Sequence, residues 1–388
     1  MRGKTRFDVC IVGGGPAGST AAIILRQAGL QVCMVDKVDD RARRIGESLP
    51  AAAARLLRRL GIDGIGELLD HEEYSVCSAN ASAWGSDHWS FQDSIRNPEG
   101  GGWHVLRHRF DAALRERATE LGLTRFRATI AEVFLARSVD DRQSRYHFGF
   151  RQSRRDLPNQ IEADWVIDAT GRTAFISKTL GSVRERLDNQ MAAVCWLRAR
   201  PTDLDDTTRV KSVRDGWWYT SRLSTGERVL SFQGLPERIA ELVRSPGEFC
   251  ASCNTTDLLP RRVGPADIVL GIRAADAGVS RTVSIANPGC LAVGDAALSL
   301  DPLSSQGIFF ALYSGVRGAE ALLRCHRDPA HCSPALAAYE HQVNQVFDGL
   351  QSSRRHHYIT ETRYADHPFW AARHGVTQQI PRPILTTN

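Results

Sequence analysis

A chain of 388 residues, 42% hydrophobic and 24% charged, has the balance of a water-soluble globular protein with one large core or two interleaved ones. Its net charge of +5 is scattered, with only four lysines (Lys4, Lys37, Lys178, Lys211) among 49 basic residues, which argues against nucleic-acid binding. No apolar run approaches the roughly 20 residues of a membrane span, and nine cysteines without an export signal argue against a disulfide framework, so we expect a cytoplasmic monomer or homodimer with no membrane contact.

Residues 7–12 are a short apolar run suited to a buried parallel strand. Pro16 to Gly29 reads as a helix with Pro at its start and Gly at its end. The segment LQVCMVD (30–36) reads as the next strand, completing a βαβ unit. Between them, GGGPAG carries the G-x-G-x-x-G spacing at Gly13, Gly15 and Gly18, with Pro16 and Ala17 opening the helix. Such glycines permit a tight turn, close approach of a pyrophosphate and close helix–strand packing, and the helix start supplies free N–H groups. Asp36 ends the second strand, where an acidic side chain accepts from ribose hydroxyls.

Helices are expected over 51–61 and 110–122, and strands over 126–136, 145–152 and 161–169, the last ending in Asp168-Ala-Thr-Gly171-Arg172. From 190 to 273, segments such as AAVCWLRAR, GWWYTSRL and RVLSFQGL predict an antiparallel sheet. CLAVGDAA is a further strand, ending in Gly294-Asp295, and helices follow over 307–325 and 334–355. Cys250 and Cys253 form a lone C-x-x-C; Cys325 and Cys332 flank His326 and His331. Neither group offers a convincing four-ligand set, so these are read as ordinary thiols and no metal is expected.

An adenine dinucleotide can be NAD or FAD. The second strand–Gly–Asp turn, far along the chain, favours FAD: the two turns are the two ends of one extended ligand. The expected fold is α/β, a Rossmann-like FAD-binding domain interleaved with an antiparallel β-sheet substrate domain, plus a C-terminal helical segment.

The segments GGGPAG, RIGESLP (44–50), VLRHRFD (105–111), DATGR (168–172) and GDAALSLDPLSSQG (294–307) resemble those of the p-hydroxybenzoate hydroxylase-like flavoproteins. That superfamily includes aromatic monooxygenases, geranylgeranyl reductases and flavin-dependent tryptophan halogenases. The resemblance runs from residue 7 to about 325. It implies an FAD-binding domain over 1–75, 105–180 and 270–330, a substrate domain over 76–104 and 181–269, and a helical segment over 331–388. It also implies that Arg107 contacts the cofactor, with Arg109 the nearby alternative, and that Arg44, Gly46, Glu47 and Ser48 run beside the flavin. Gly171, Gly294 and Asp295 complete the second turn. Pro302, Gly307 and Ile308 lead into a helix whose free N–H groups can face the negative charge of reduced flavin.

A halogenase of this kind needs a lysine near the flavin, yet none occurs between Lys37 and Lys178. The halogenase pattern G-W-x-W-x-I-P is also broken at Gly216-Trp217-Trp218-Tyr219-Thr220-Ser221-Arg222. Both departures favour hydroxylation of an aromatic substrate through a C4a-hydroperoxyflavin. Trp84, Trp217, Trp218 and Tyr219 are the expected substrate residues, and Glu47, His104 and Pro302 the candidate catalytic ones. No second G-x-G-x-x-G exists, so electrons come from NAD(P)H docking in the cleft or from an external reductase. AWG, GWWYTSRL and YITETRYADHPFWAAR further resemble flavoproteins that oxygenate tryptophan in a partner protein or peptide. The substrate is thus an aromatic small molecule, or an indole or tryptophan borne by a peptide or protein. The alternatives are a geranylgeranyl-reductase-like FAD oxidoreductase, a halogenase lacking the usual lysine, and a non-catalytic FAD-binding partner protein. Gly100-Gly101-Gly102 is read as a lid hinge, and the tail SRRHHYITETRY as a cover for the entrance.

Overall fold

The computed structural model describes residues 5–37, 43–94, 99–137, 144–151 and 159–375. Its first layer is an eight-stranded sheet. Strands Cys290–Ala292, Asn159–Asp168, Thr5–Val12, Val32–Asp36 and Thr124–Arg127 run parallel in that spatial order. The hairpin Thr129–Arg137/Ser144–Arg151 adds antiparallel to Asn159–Asp168, and Ala286–Asn287 pairs antiparallel with Cys290–Ala292 as the eighth strand. Val9, Cys10 and Ile11 are fully buried in succession, because helices or strands cover both faces of a parallel sheet. That is why this strand reads as an unbroken apolar run.

Helix Pro16–Gln27 packs on this sheet against the 21-residue helix Gly307–Arg327. Glycine makes the approach possible: a Cβ on Gly315 would lie 2.6 Å from the carbonyl oxygen of Ala17. A tight turn through Pro329–His331 returns the chain as helix Cys332–Thr360. Across that turn Cys325 and Cys332 form a disulfide, which corrects the expectation of two ordinary thiols. The helix ends bring the two cysteines together although nothing in their local spacing announces it.

The second layer is a seven-stranded sheet in the order Arg273–Asp276, Met191–Leu197, Arg228–Gly234, Gly216–Arg222, Thr208–Val213, Ala79–Ala83, Ser90–Asp93. All neighbours are antiparallel except Thr208–Val213 with Ala79–Ala83. A small third sheet pairs Gly102–Val105 with Ser48–Leu49 and Tyr74–Cys77. There Gly102 serves close approach, not hinge freedom: its Cβ would lie 2.6 Å from the Leu49 carbonyl oxygen.

The stretch 190–273 is not all strand. Helices Pro236–Arg244 and Pro246–Asn254 cover one face of the seven-stranded sheet. Each begins with Pro in the first turn, and Ser245 caps the second through its hydroxyl to the Glu248 amide. Ile239, Leu242, Phe249, Cys250 and Cys253 are their buried faces, so the C-x-x-C is one turn of a packed helix. Among the described residues no helix is long and apolar enough to cross a membrane.

Candidate functional site

The first turn divides its glycines by role. Gly13 holds φ +108°, and a Cβ there would lie 2.2 Å from the Ala169 carbonyl oxygen. A Cβ on Gly18 would lie 2.1 Å from the Gly13 carbonyl oxygen. Both are glycine because backbone approaches backbone. Around Gly15, by contrast, a Cβ would meet no atom within 4 Å. That open side faces a cleft of about 860 Å³, at the start of helix Pro16–Gln27, where backbone N–H groups lack intrahelical partners.

Asp36 lines the same end of the cleft. Burial pushes its carboxyl up from the ordinary value, against the opposing pull of the Arg115 guanidinium and the Gly14 amide. Arg115 was not anticipated. It is buried and donates from Nη1 to the Gly14 carbonyl oxygen at 2.6 Å, bracing the glycine turn. The signal was present as Arg107-x-x-x-Asp111-x-x-x-Arg115, one face of helix Arg107–Glu120.

Asp111, fully buried on that face, gathers two arginines. Arg44 donates to its Oδ2 at 3.1 Å and Arg107 Nε to its Oδ1 at 3.0 Å. Arg107 also donates to the carbonyl oxygens of Ile45 and Gly46, both at 3.0 Å, so it fixes the 44–48 segment along the cleft. Arg109 points elsewhere and pairs with Glu73 at the surface.

The second turn meets the first. Gly294 holds φ +59°, and its Cβ would lie 2.8 Å from the Ala17 Cβ. Asp295 faces the cleft, 3.6 Å from Arg172 Nε, while Arg184 donates to its carbonyl oxygen at 2.7 Å. Asp168, buried under the adjacent turn, accepts from the amides and hydroxyls of Thr170 and Ser177, which sets Gly171 at the cleft edge. Farther along, Asp301 caps the Leu303 amide at 3.0 Å, and Pro302, Gly307 and Ile308 line the wall where the long helix begins.

Glu47, Ser48, Trp217 and Tyr219 close this end. Glu47 is 3% exposed, and its Oε1 accepts from Tyr219 at 2.5 Å and Ser221 at 2.7 Å. Tyr219 Oη also lies 2.9 Å from Ser48 Oγ. Burial, then the Glu47 charge, pushes the Tyr219 phenol well up, so it remains a hydrogen-bond donor at neutral pH.

Three expected site residues lie elsewhere. Trp218 follows Trp217 on one strand and therefore faces the opposite side, packed on Phe232 and Phe249. Trp84 lies behind the cleft, its indole N–H on the His357 carbonyl oxygen. His104 is fully buried in the small sheet, with Nε2 2.7 Å from Thr208 Oγ1. The tail does not span an entrance; within the described residues it backs the cleft. Arg354 donates to Asp301 Oδ2 at 2.7 Å, and Tyr358 bonds both Asp301 and Trp217 Nε1.

The open space at Gly15, the helix start beside it, the acid at Asp36 and the second helix start at Gly307 fit an extended dinucleotide at its adenosine, pyrophosphate and ring ends. The chain is similar to known flavoproteins over most of its length. The putative FAD-dependent oxidoreductase LodB of Marinomonas mediterranea is 26% identical over 384 residues, covering 95% of this chain and 97% of LodB. A 1H-pyrrole-2-carbonyl-[peptidyl-carrier protein] brominase of Pseudoalteromonas luteoviolacea is 25% identical, covering 81% and 77%. Among solved structures, the flavin-dependent halogenase CmlS superposes with a TM-score of 0.82 at 25% identity, covering 98% of this chain and 69% of CmlS. The peptidyl tryptophan dihydroxylase QhpG superposes with a TM-score of 0.75 at 24% identity, covering 97% and 80%, and so shares the fold. With residues 6–232 matching the FAD binding domain model, the chain belongs to that family and is an FAD-dependent oxidoreductase.

Proposed function

We propose that this enzyme is a monooxygenase that hydroxylates an aromatic substrate, an indole side chain borne by a peptide or protein being the class that fits best. The observation that carries this reading is the lysine distribution. Among the described residues Lys37 is the one lysine lining the cleft, beside Asp36 at the ribose end. Around Pro302, Trp217 and Tyr219 there is none. Lys211 is on the neighbouring strand but bonds Asp257 at 2.6 Å, outside the cleft. QhpG, named for dihydroxylation of peptidyl tryptophan, supports the peptide-borne substrate.

Reduced FAD, once bound, supplies the activation of O₂. The chain's own residues do the rest. The amides at Gly15 and the start of helix Pro16–Gln27 would hold the pyrophosphate, and Asp36 would accept from a ribose hydroxyl. The amides at Gly307 and Ile308 would hold the ring end of the cofactor. Trp217, Tyr219 and Val229 form an apolar wall that excludes water from the reacting ring. Glu47, oriented by Tyr219 and Ser221, is the carboxylate positioned to take the proton leaving the substrate. Electrons enter from NAD(P)H or from a separate reductase.

The brominase and CmlS favour a second reading, halogenation without the usual lysine. One experiment separates the two. Protein loaded with FAD and chemically reduced is given ¹⁸O₂ and a tryptophan-containing peptide, with and without bromide. Monooxygenation gives product carrying ¹⁸O regardless of bromide. A brominated product, or turnover that requires bromide, overturns the proposal.

A further inference from the structure

From the cleft wall a group of aromatic rings runs back into the protein, and apart from Trp217 the chemistry above does not use them. Trp217 forms part of the cleft wall. Its ring centroid is 6.2 Å from that of Trp84, which is 5.3 Å from Trp370, which is 6.4 Å from Tyr364. Trp217 and Trp370 are at most 1% exposed, whereas Tyr364 reaches a polar depression lined by Asp87, Lys211 and Asp257. Four rings thus run in near contact from the cleft to solvent.

We infer that this row of rings is an electron relay that drains oxidising equivalents from the cleft to the surface. The inference rests on the proposed use of O₂, since an O₂-using site without substrate releases oxygen-centred radicals. The electron balance is simple. Trp217 gives one electron to such a radical, superoxide or hydroperoxyl, which takes up protons from water and leaves as hydrogen peroxide. Trp84 refills Trp217, Trp370 refills Trp84, and Tyr364 refills Trp370. Tyr364 releases its phenolic proton to water as it is oxidised. A small thiol then returns one electron and one proton to Tyr364, and two such thiol radicals join as a disulfide.

The hydrogen bonds favour migration over trapping. The indole N–H of Trp84 donates to the His357 carbonyl oxygen at 2.7 Å, and that of Trp370 to the carbonyl oxygens of Val213 and Arg214 at 3.0 Å. Carbonyl oxygens are too weakly basic to keep a proton, so an oxidised indole stays a strong oxidant and passes the vacancy on. Tyr358 is the competing stop, 5.7 Å from Trp84 and bonded to Trp217. Arg354 and Arg373 stand over its ring, each 5.2 Å from the centroid, and their positive charge disfavours removing an electron; one arginine, Arg363, stands over Tyr364 at 5.0 Å, and it is paired with Glu361 and Asp87. Its hydroxyl donates to the Asp301 carboxylate at 3.1 Å, and burial, then the Asp301 charge, pushes the phenol up, which hinders proton loss. The end of the row differs: Tyr364 borders an open depression lined by both carboxylates and the cations Lys211 and Arg214, so its proton leaves to water and the last transfer runs downhill.

The test uses light on the FAD-loaded protein, because photoexcited flavin is itself a one-electron oxidant. Illuminated wild type, frozen for electron paramagnetic resonance, should hold a tyrosyl radical. Tyr364→Phe should replace it with an indole radical. Trp84→Phe should remove the long-lived signal, and Tyr358→Phe should leave the tyrosyl signal in place. Phenylalanine keeps a packed ring but does not oxidise, so a merely structural cluster would give all variants the same signal. That result, or a tyrosyl signal surviving Tyr364→Phe, overturns the relay. Failure to load FAD would instead sink the cofactor site itself, and bromide-dependent chemistry would sink the oxygenase reading while leaving light-driven migration intact.

Discussion

The two faces of the seven-stranded sheet place neighbouring tryptophans in different settings. Trp217 and Trp218 are each 1% exposed and sit on the same strand. Trp218 enters a packed cluster with Phe232, Leu230 and the helices Pro236–Arg244 and Pro246–Asn254. Trp217 and Tyr219 instead share the cleft with Val229, Ser231 and Gln233 of the next strand. Both rings are tryptophans buried to the same extent, and only strand parity separates the one that holds the sheet from the one that lines the cleft.

That contrast can be tested by unequal damage. The largest expected effect is Gly15→Val, which adds bulk only on the cleft side. FAD binding should vanish, read as loss of flavin absorbance after purification, while the apo protein melts as wild type does. Trp218→Ala acts on the other face and should cost about 3–5 kcal/mol of stability, as deletion of a buried ring does. Denaturant unfolding measures it, and the fraction still folded should bind FAD normally. Trp217→Phe keeps a ring but reshapes the cleft, so kcat/KM should fall roughly tenfold or more with FAD affinity retained. Equal loss of turnover in Trp217→Phe and Trp218→Phe would erase the distinction between the faces.

The smallest effect expected is at Asp36. Its carboxyl is raised by burial, so its contribution to stability is present below the ordinary carboxylate range and lost as pH rises through the raised value. Asp36→Asn should therefore stabilise the apo protein at neutral pH while weakening FAD binding roughly tenfold. Thermal melts from pH 4 to 8 with and without FAD separate the two. A variant less stable than wild type at pH 7 would show that the ionised carboxylate supports the fold.

The dinucleotide half was legible because its signals are local. An apolar run, a glycine turn and a helix opened by proline lie in consecutive residues 7–29, and the acid at Asp36 follows within the same unit. The parity of Trp217 and Trp218 was not legible. Gly216–Arg222 is buried on both faces, so no apolar–polar alternation says which ring faces where. Trp84 and His104 were drawn to the site by residue type alone, yet their partners, His357 and Thr208, are more than 100 positions away. Helix Pro236–Arg244 was readable from its proline start and its Ile239/Leu242 spacing, and was overlooked amid strands. The Cys325–Cys332 bridge depends on where two long helices end, which no short window contains.

Asp301 sits at the junction of two parts of the chain. It caps the turn beside Pro302 and accepts hydrogen bonds from Arg354 and Tyr358 of the long C-terminal helix. We therefore expect occupancy of the cleft and order in that helix to be linked, and such a linkage is reciprocal. FAD should slow hydrogen exchange of the amides around 350–360, although they lie outside the cleft, and loosening that helix should raise the dissociation constant for FAD. A partner that grips the C-terminal helix would then act as an effector of cofactor retention without touching the cofactor.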